Sequence, residues 1–572
     1  MKKVFSEKGI TARFILPLLL LLFSFVGCTR GADLSDTMYS VGNYAFFDSD
    51  AGNWHYATYI ANLTGRLFYL LGGGRLIFVN LLCSLVPAGT ALAVYYCFKD
   101  RVNPLLLFLS ELAALGLCWS PSVILYQQES YLVLVAGSLL LYFGMSREKR
   151  KLLCAAGLVL GLGALVRISN LLYPVLILFV IYERQRKKQA RELLKDIGIC
   201  VAGYLGGLAA AFLLLLAGGG SGGLQSMAAW ILGLFGGSSG GGGYTPQEML
   251  LSILDNYAGN LRYFLGALAV AAAGSLLFFL LKEKLRTLAA VLTAGGIALL
   301  MVWYFRNGVF DLKYYNVGSI FRISVVVLLG LILLDLAVLA DRRASEEEKA
   351  LAFLALLVQL ITPLGSNNHL YSCINNMYLL LPAALITGSG MLGRCKKERP
   401  WRFPLAALSS ALLLLLLVQS VLFGLFFVFK EGNEGQKLAA VITEPAPLEG
   451  IRTTEGHAEA LKGLSAALGK REGTLLTYGD IPGLHYALGL ASAVSTSWPD
   501  LESYPRAQYE SELAAVSGRG ERPLVILSAQ ADALQGDEAG EKLSLLREFL
   551  YNGAYVKTYG NEEFAVYESV EE

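Results

Sequence analysis

Apolar runs recur along the first three quarters of the chain, each broken by a short polar segment. Thirteen of them read as helices in a bilayer. Their approximate limits are 12–28, 76–97, 104–118, 130–145, 152–165, 171–182, 197–217, 261–281, 287–304, 320–340, 350–363, 377–392 and 404–429. Several fall short of the roughly 20 residues that an upright spanning helix needs, a length that suits half-buried or broken helices around a cavity. After residue 429 the pattern changes. TLLTYG (474–479) and PLVILSA (523–529) read as buried strands, 541–551 as a helix and AYVKTYGNEEFAVYES as a terminal hairpin. The prediction is a mainly α, polytopic membrane domain over 1–429 followed by a soluble α/β domain over 430–572.

Composition supports this division. The chain has 572 residues, of which 55% are hydrophobic and 16% charged, against roughly 25% charged in soluble domains. Disordered, collagen-like and coiled-coil classes are excluded, and the bilayer is the main solvent. The eight cysteines form no CxxC motif and no Cys/His cluster, so neither a disulfide framework nor a structural zinc site is implied.

Charge fixes the orientation. KDR (99–101), REKRK (147–151), ERQRKKQARELLKD (183–196), KEKLR (282–286), DRRASEEEK (341–349), GRCKKERPWR (393–402) and the N-terminal segment hold 27 of the 47 Lys and Arg residues. Cationic loops stay on the cytoplasmic side. The N-terminus is therefore cytoplasmic and the segment after 429 extracytoplasmic, and a bacterial plasma membrane fits both. That last segment carries 12 Lys and Arg against 23 Asp and Glu. A surface so acidic repels phosphate backbones and argues against nucleic acid as a partner. Phe14–Cys28 has the length of a signal-peptide core, and FVGC (25–28) loosely resembles a lipoprotein cleavage site. Its leading phenylalanine fits that pattern poorly, so the segment is read as a retained span.

Two outer loops stand out. Residues 218–260 are Gly-rich around the apolar stretch LQSMAAWILGLF, which reads as an interfacial segment with mobile flanks, either a spacer or a lid. Residues 29–75 hold Asp33, Asp36, Asp48 and Asp50, then an interfacial helix from Trp54 to Leu71. Asp48 and Asp50, in the turn-like DSDAGN, read as solvated. Asp33 and Asp36 lie where the chain leaves the first span, at the level where a lipid-linked headgroup presents its reactive carbon. Asp36 is a candidate base. His55 could stack on a sugar, although a lone interfacial histidine is more often structural; Asn368 and His369 in TPLGSNNHLYSCINN could bind a sugar or pyrophosphate, and ordinary turn formation explains those two as well. Glu111 is an ionisable group within an apolar span, a position that calls for a function or a hydrogen-bonded core role. His457 and His485 read as residues without catalytic duty.

Four features carry a resemblance to a known family. An acidic residue follows the first span in DTMYSVGNYAFFD. WSPSVILYQQESYLVLVAGSLLLYF places Glu129 at the head of the fourth span. GLVLGLGALVRISNLLYPVLIL places Arg167 between two short apolar helices. The outer segment has the rhythm YGDIPGLHYALGL, then PLVILSAQ, then LREFLYNGAYVKTYGNEEFAVYES. In this order and on these sides, the chain resembles the GT-C superfamily of polytopic glycosyltransferases. Its layout is similar to protein O-mannosyltransferases and lipid A aminoarabinose transferases.

The resemblance implies an inverting transfer of a sugar from a polyprenyl-phosphate donor to an extracytoplasmic glycan, lipid or protein acceptor. It implies Asp36 as the general base, with Asp33 as competitor, because DLSD replaces the adjacent Asp-Glu pair of relatives. Arg167 would contact the donor phosphate. Glu129 would bind the acceptor or, with Asp36, a divalent metal such as Mg or Mn. The chemistry needs a base, cations for the leaving phosphate and a groove for the isoprenoid, and no nucleotide-binding loop is present. Two alternatives predict other features. A transporter or flippase for lipid-linked saccharides calls for midplane charges and an internal repeat, and a membrane sensor with an outer binding domain would not need the acidic first loop.

Overall fold

The computed structural model describes residues 9–48, 53–235, 246–365, 368–394, 399–432, 435–536 and 540–570. The chain opens with a π-helical turn, Thr11–Ile15, that runs into α1 (Leu16–Ser24). The first outer loop holds α2 (Asp36–Ala45), α3 (Asn53–Ala57) and α4 (Tyr59–Leu71). There follow α5 (Leu76–Cys83), α6 (Leu85–Phe98), α7 (Pro104–Leu117), α8 (Leu125–Ser146), α9 (Arg150–Leu162), α10 (Ile177–Arg186) and α11 (Ala190–Phe235). The bundle is completed by α12 (Pro246–Leu280), α13 (Arg286–Arg306), α14 (Val317–Ala340), α15 (Glu346–Ile361), α16 (Tyr371–Asn375), α17 (Leu380–Arg394) and α18 (Arg402–Phe426).

Each of the thirteen predicted apolar segments is largely helical, but they are not equivalent. Among the described residues seven helical stretches are long and apolar enough to cross a membrane: Leu76–Phe98, Leu125–Ser146, Ala190–Gly220, Gln247–Leu280, Glu283–Arg306, Val317–Ala340 and Arg402–Phe426. Of the thirteen predicted segments, seven thus lie in helices long enough to span, and several of the others are short, as their lengths predicted. Thr11–Ser24 and Pro104–Leu117 are shorter apolar helices. α15 and α17 have 16 and 15 residues, and the segment over 168–176 is a 3₁₀ helix. Of these short elements, α15 sits largely among neighbours, whereas Thr11–Ser24 and 168–176 expose apolar side chains such as Phe14, Leu18 and Leu171. In α15, Leu351, Leu354 and Val358 are fully buried.

Small residues set the closest helix contact. α9 carries Gly157 and Gly161, and α11 carries Gly203 and Gly207, both pairs at the four-residue spacing that lets backbones approach in lipid. A methyl group added at any of the four would stand 2.2 Å from a carbonyl oxygen of the facing helix. At the end of the bundle that carries the cationic loops, Asp196, fully buried, pairs with Arg184 at 2.5 Å and Arg150 at 3.1 Å, and Arg184 also meets Glu148 at 3.0 Å. The Gly-rich loop also differs from its reading. LQSMAAWILGLF continues α11 beyond a break at Gly220 (φ 62°, ψ −164°), and the glycines before it form a contact face. Gly218 lies against the Tyr59 ring, and Gly219 and Gly223 against Tyr56. Residues 236–245, the second glycine run, lie outside the described residues.

The segment after α18 forms the predicted α/β unit. Strands β1 (Ala440–Val441) and β2 (Arg452–Thr453) pair antiparallel. β3 (Thr474–Tyr478), β4 (Ala491–Ser492), β5 (Leu524–Ser528), β6 (Tyr555–Gly560) and β7 (Phe564–Ser569) form one sheet in the order β4-β3-β5-β7-β6. β3 is parallel to both β4 and β5, and β6–β7 is the predicted antiparallel hairpin. Helices α19 (Glu455–Leu468), α20 (Leu484–Leu488), α21 (Arg506–Gly518), α22 (Ala529–Ala533) and α23 (Gly540–Asn552) connect and cover the strands.

This unit shares a core with the first outer loop. Leu34, Met38, Val41 and Tyr44 pack in one cluster with Ile442, Leu448, Leu461, Leu484 and Phe564. The Gly483 N–H donates to the Leu34 carbonyl at 2.6 Å, and a methyl group on Gly483 would stand 2.4 Å from the Met38 Cβ. The outer unit is thus seated directly on the loop that carries Asp33 and Asp36.

Candidate functional site

The site begins at the start of α2. Asp33 is buried, and its carboxylate accepts from Ser35 N at 3.0 Å, Ser35 Oγ at 2.5 Å and Thr37 N at 2.9 Å. It satisfies the free amides at the helix start, as short polar side chains do at this position. Asp36 is in the first turn, where the helix dipole favours negative charge. Its side chain is 37% exposed, so it keeps access to solvent.

Lys430, four residues beyond α18, reaches back to this turn. Its Nζ lies 3.0 Å from Asp36 Oδ2, 3.5 Å from Asp480 Oδ2 and 2.6 Å from Ser35 Oγ. Burial works to lower the Lys430 pKa, but the Asp36 and Asp480 carboxylates outweigh it and hold it above the ordinary lysine value. Asp480 is delivered by the fold. It follows the carboxyl end of β3, the sheet edge where open α/β units place their ligands. Asp500 fixes the turn by accepting from Gly479 N at 3.2 Å and Asp480 N at 2.8 Å. Lys430 (φ 56°) and Asp480 (φ 65°) both adopt the left-handed conformation. Such backbone costs of order 1–3 kcal/mol per residue and clusters at functional sites. Trp498 closes the group, with its ring edge-on to Tyr39 at 5.2 Å and 5.8 Å from Lys430 Nζ.

Beneath lies a cavity of about 170 Å³ between the end of α1, α5–α6, the outer end of α7 and the end of α18. Its wall is two-sided. Phe23, Leu115, Phe423 and Phe427 supply the apolar part. Arg30, Asp33, Thr37, Asn80, Ser84 and Gln128 supply the polar part. The helix from Leu76 to Phe98 is interrupted at Ser84, where Asn80 and Ser84 turn to the cavity. Gly116 and Gly424 let α7 and α18 meet behind it, with a methyl group on Gly116 standing 2.2 Å from the Ser420 carbonyl oxygen.

Arg30 brings positive charge to the rim. Its chain pairs with the outer unit through Gly31 N to Arg452 O at 2.9 Å and Arg452 N to Thr29 O at 2.8 Å. Burial and the neighbouring Arg452 charge both lower the Arg30 pKa, with no carboxylate among the described residues offsetting them. The Arg30 guanidinium donates to the Val26 carbonyl at 3.0 Å, and arginine has further N–H groups suited to a phosphate oxygen.

The residues anticipated from sequence divide. Asp33 and Thr37 line the cavity; Asp36, between them in sequence, is not among the lining residues and pairs instead with Lys430. Glu129 and Arg167 are not among the lining residues. Glu129 is buried beside the Thr64 hydroxyl, and the Arg167 guanidinium lies 5.5 Å from the Tyr126 ring centre. His55 is 3% exposed, with Phe47, Tyr56 and Tyr59 around it, and burial lowers its pKa to about 4. His369 adopts a left-handed backbone (φ 49°) in the loop after α15, next to Asn368, and neither lines the cavity. Glu111 is buried within α7 with both carboxylate oxygens unpartnered. Asp48 is 80% exposed and pairs with Arg66 at 3.1 Å; Asp50 lies outside the described residues. Among the described residues no three His, Cys, Asp or Glu side chains are grouped to hold a metal ion.

Arg30, Lys430 and Asp480 were not anticipated. Lys430 in FVFKEG looks like the flanking charge of a span, and only its left-handed backbone and its contact with Asp36, 394 positions away in the chain, mark it out.

No protein-family model matches the chain, and no curated protein does. Among solved structures the chain is similar to the crystal structure of ArnT from Cupriavidus metallidurans bound to undecaprenyl phosphate. The two share 13% identity at a TM-score of 0.42, over 98% of this chain and 99% of that one. The likeness is one of outline and assigns no residue a role.

Proposed function

We propose that the chain is a membrane glycosyltransferase that moves a sugar from a polyprenyl-phosphate donor to an acceptor on the extracytoplasmic side. The observation that carries this reading is the two-sided cavity. Its apolar wall, built by Phe23, Leu115, Phe423 and Phe427, suits an isoprenoid, and its rim places Arg30 beside Asp33, next to the Asp36–Lys430 pair. The donor phosphate would meet Arg30, with Arg452 beside it, in place of the Arg167 contact suggested by sequence.

Asp36 is the proposed base. Asp33 faces the cavity, but its oxygens already hold the start of α2. Asp36 faces outward, where a hydroxyl acceptor arrives from water, while the donor occupies the hollow behind. As the acceptor oxygen attacks the anomeric carbon, its proton passes to the Asp36 carboxylate. The bond to the phosphate oxygen breaks, the electron pair leaves on the polyprenyl phosphate, and the configuration inverts. A base so positioned is worth typically 10²–10⁴-fold, and charge stabilisation of the leaving phosphate adds a large further factor.

The test uses purified full-length protein incubated with a panel of polyprenyl-phosphate sugars while sugar release is followed. Asp36→Asn is expected to abolish release and keep polyprenyl-phosphate binding. Asp33→Asn is expected to lower thermal stability as well as release. Near-normal turnover in Asp36→Asn removes that residue from the mechanism, and no release from any donor removes the reading.

A further inference from the structure

His457 lies in the first turn of α19, half-buried against the chain that leads into α2. Its Nδ1 is 2.6 Å from Glu563 Oε2 and its Nε2 is 3.2 Å from the Ala32 carbonyl oxygen. A carboxylate and a carbonyl only accept hydrogen bonds, and a neutral imidazole has one N–H to give. Both contacts are made together only by the imidazolium.

Ala32 is held at its other backbone group as well. Its N–H donates to Glu431 Oε1, and Glu431 Oε2 accepts from the Thr453 hydroxyl at 2.8 Å. The residues just before it are bound too, through the pairing of Thr29 and Gly31 with Arg452. Arg30 and Asp33, close on both sides of Ala32, line the cavity.

We infer that His457, when protonated, is a positioning residue that with Glu431 clamps Ala32 and so fixes Arg30 and Asp33 at the rim of the cavity, and that loss of its proton loosens residues 29–33. The charged groups facing it are Glu563 from the turn before β7 and Glu431 from the segment after α18, with Asp33 acting in turn on Glu431. Burial works against the cation, but the Glu563 contact, the Glu431 charge and the Ala32 carbonyl outweigh it and raise the His457 pKa above its ordinary value. A group raised on folding contributes fully below the unfolded value and is lost as pH rises through the folded one. The clamp is therefore complete in acid and opens on the alkaline side of the ordinary histidine range. Its bearing on sugar transfer rests on the proposed function, whereas the clamp itself does not.

The experiment is hydrogen exchange on the full-length protein in detergent, corrected for the intrinsic pH dependence of exchange. Protection of peptides covering residues 29–37 is expected to fall roughly tenfold from about pH 6 to about pH 9, the scale of one hydrogen bond to a charged group. His457→Gln is expected to show the low protection at both ends. Glu563→Gln keeps the ring and an acceptor but removes the neighbouring charge, and is expected to move the midpoint down by about one pH unit. Equal protection of wild type and His457→Gln at the acid end, or an unmoved midpoint in Glu563→Gln, overturns the clamp. Exchange needs no substrate, so that result leaves the transferase reading standing, and a failed Asp36→Asn test leaves the clamp standing.

Discussion

Two histidines of the outer unit show how neighbours rather than residue type set chemistry. His485 is buried between the Thr477 hydroxyl at 3.2 Å and the Leu490 carbonyl at 3.0 Å, with no acid against it, and its pKa falls to about 4. His457, half-buried, meets carboxylates and is raised. The same reasoning governs Arg30, where a second cation and no acid leave room for an anion. Arg30→Gln is expected to weaken binding of a polyprenyl phosphate by roughly tenfold or more, the scale of a charge-assisted pair, measured by ligand-induced thermal shift. Unchanged affinity would move the phosphate contact elsewhere. The position of Asp33 and Asp36 at the exit from the first span was legible in sequence because it is a local fact. The Lys430 contact was not, because no periodicity links positions so far apart in the chain. His55 had both a sugar-stacking and a structural reading from sequence, and the fold surrounds the ring with Phe47, Tyr56 and Tyr59.

Helices and strands were the most legible level. Hydropathy and period are local signals, so TLLTYG and PLVILSA become β3 and β5, and each apolar run becomes a helix. What hydropathy does not distinguish is a lipid-facing helix from a short one enclosed by others, and α15 and α17 show this. Glycine content was misread for a different reason. At 218–223 it provides contact with Tyr56 and Tyr59, since small side chains serve close packing as well as loops. The α9–α11 seam offers a quantitative check. Gly161→Leu puts a side chain where the Tyr204 carbonyl oxygen would be 2.2 Å from its Cβ. It is expected to cost about 1–3 kcal/mol or more, the usual scale of overpacking, read as a lowered unfolding temperature in detergent. Gly198→Leu, at a position with nothing within 4 Å, is the control expected to leave stability within about 0.5 kcal/mol.

At the scale of the molecule, the outer unit is a working part of the site. It supplies Asp480 and, through Arg452, Glu431 and His457, fixes the loop that bears Arg30, Asp33 and Asp36. Gly483 is where this arrangement is most exposed to change, with Leu34 and Met38 pressed against it. Gly483→Val is expected to unseat the outer unit while leaving the helical bundle intact. Faster limited proteolysis after residue 430, with unchanged helical circular dichroism, would show it; unchanged proteolysis would mean that the contact yields without consequence.

The core shared by Leu34, Met38, Ile442 and Phe564 also dictates an order of assembly. The first loop leaves the ribosome some four hundred residues before the strands that cover it. During synthesis its apolar face must wait uncovered while the remaining helices insert. Contacts so distant along a chain form late, so the candidate site is expected to mature only after translation ends. A transcript truncated near the last span would yield a stable bundle with an unfinished active loop, a natural target for quality-control proteases.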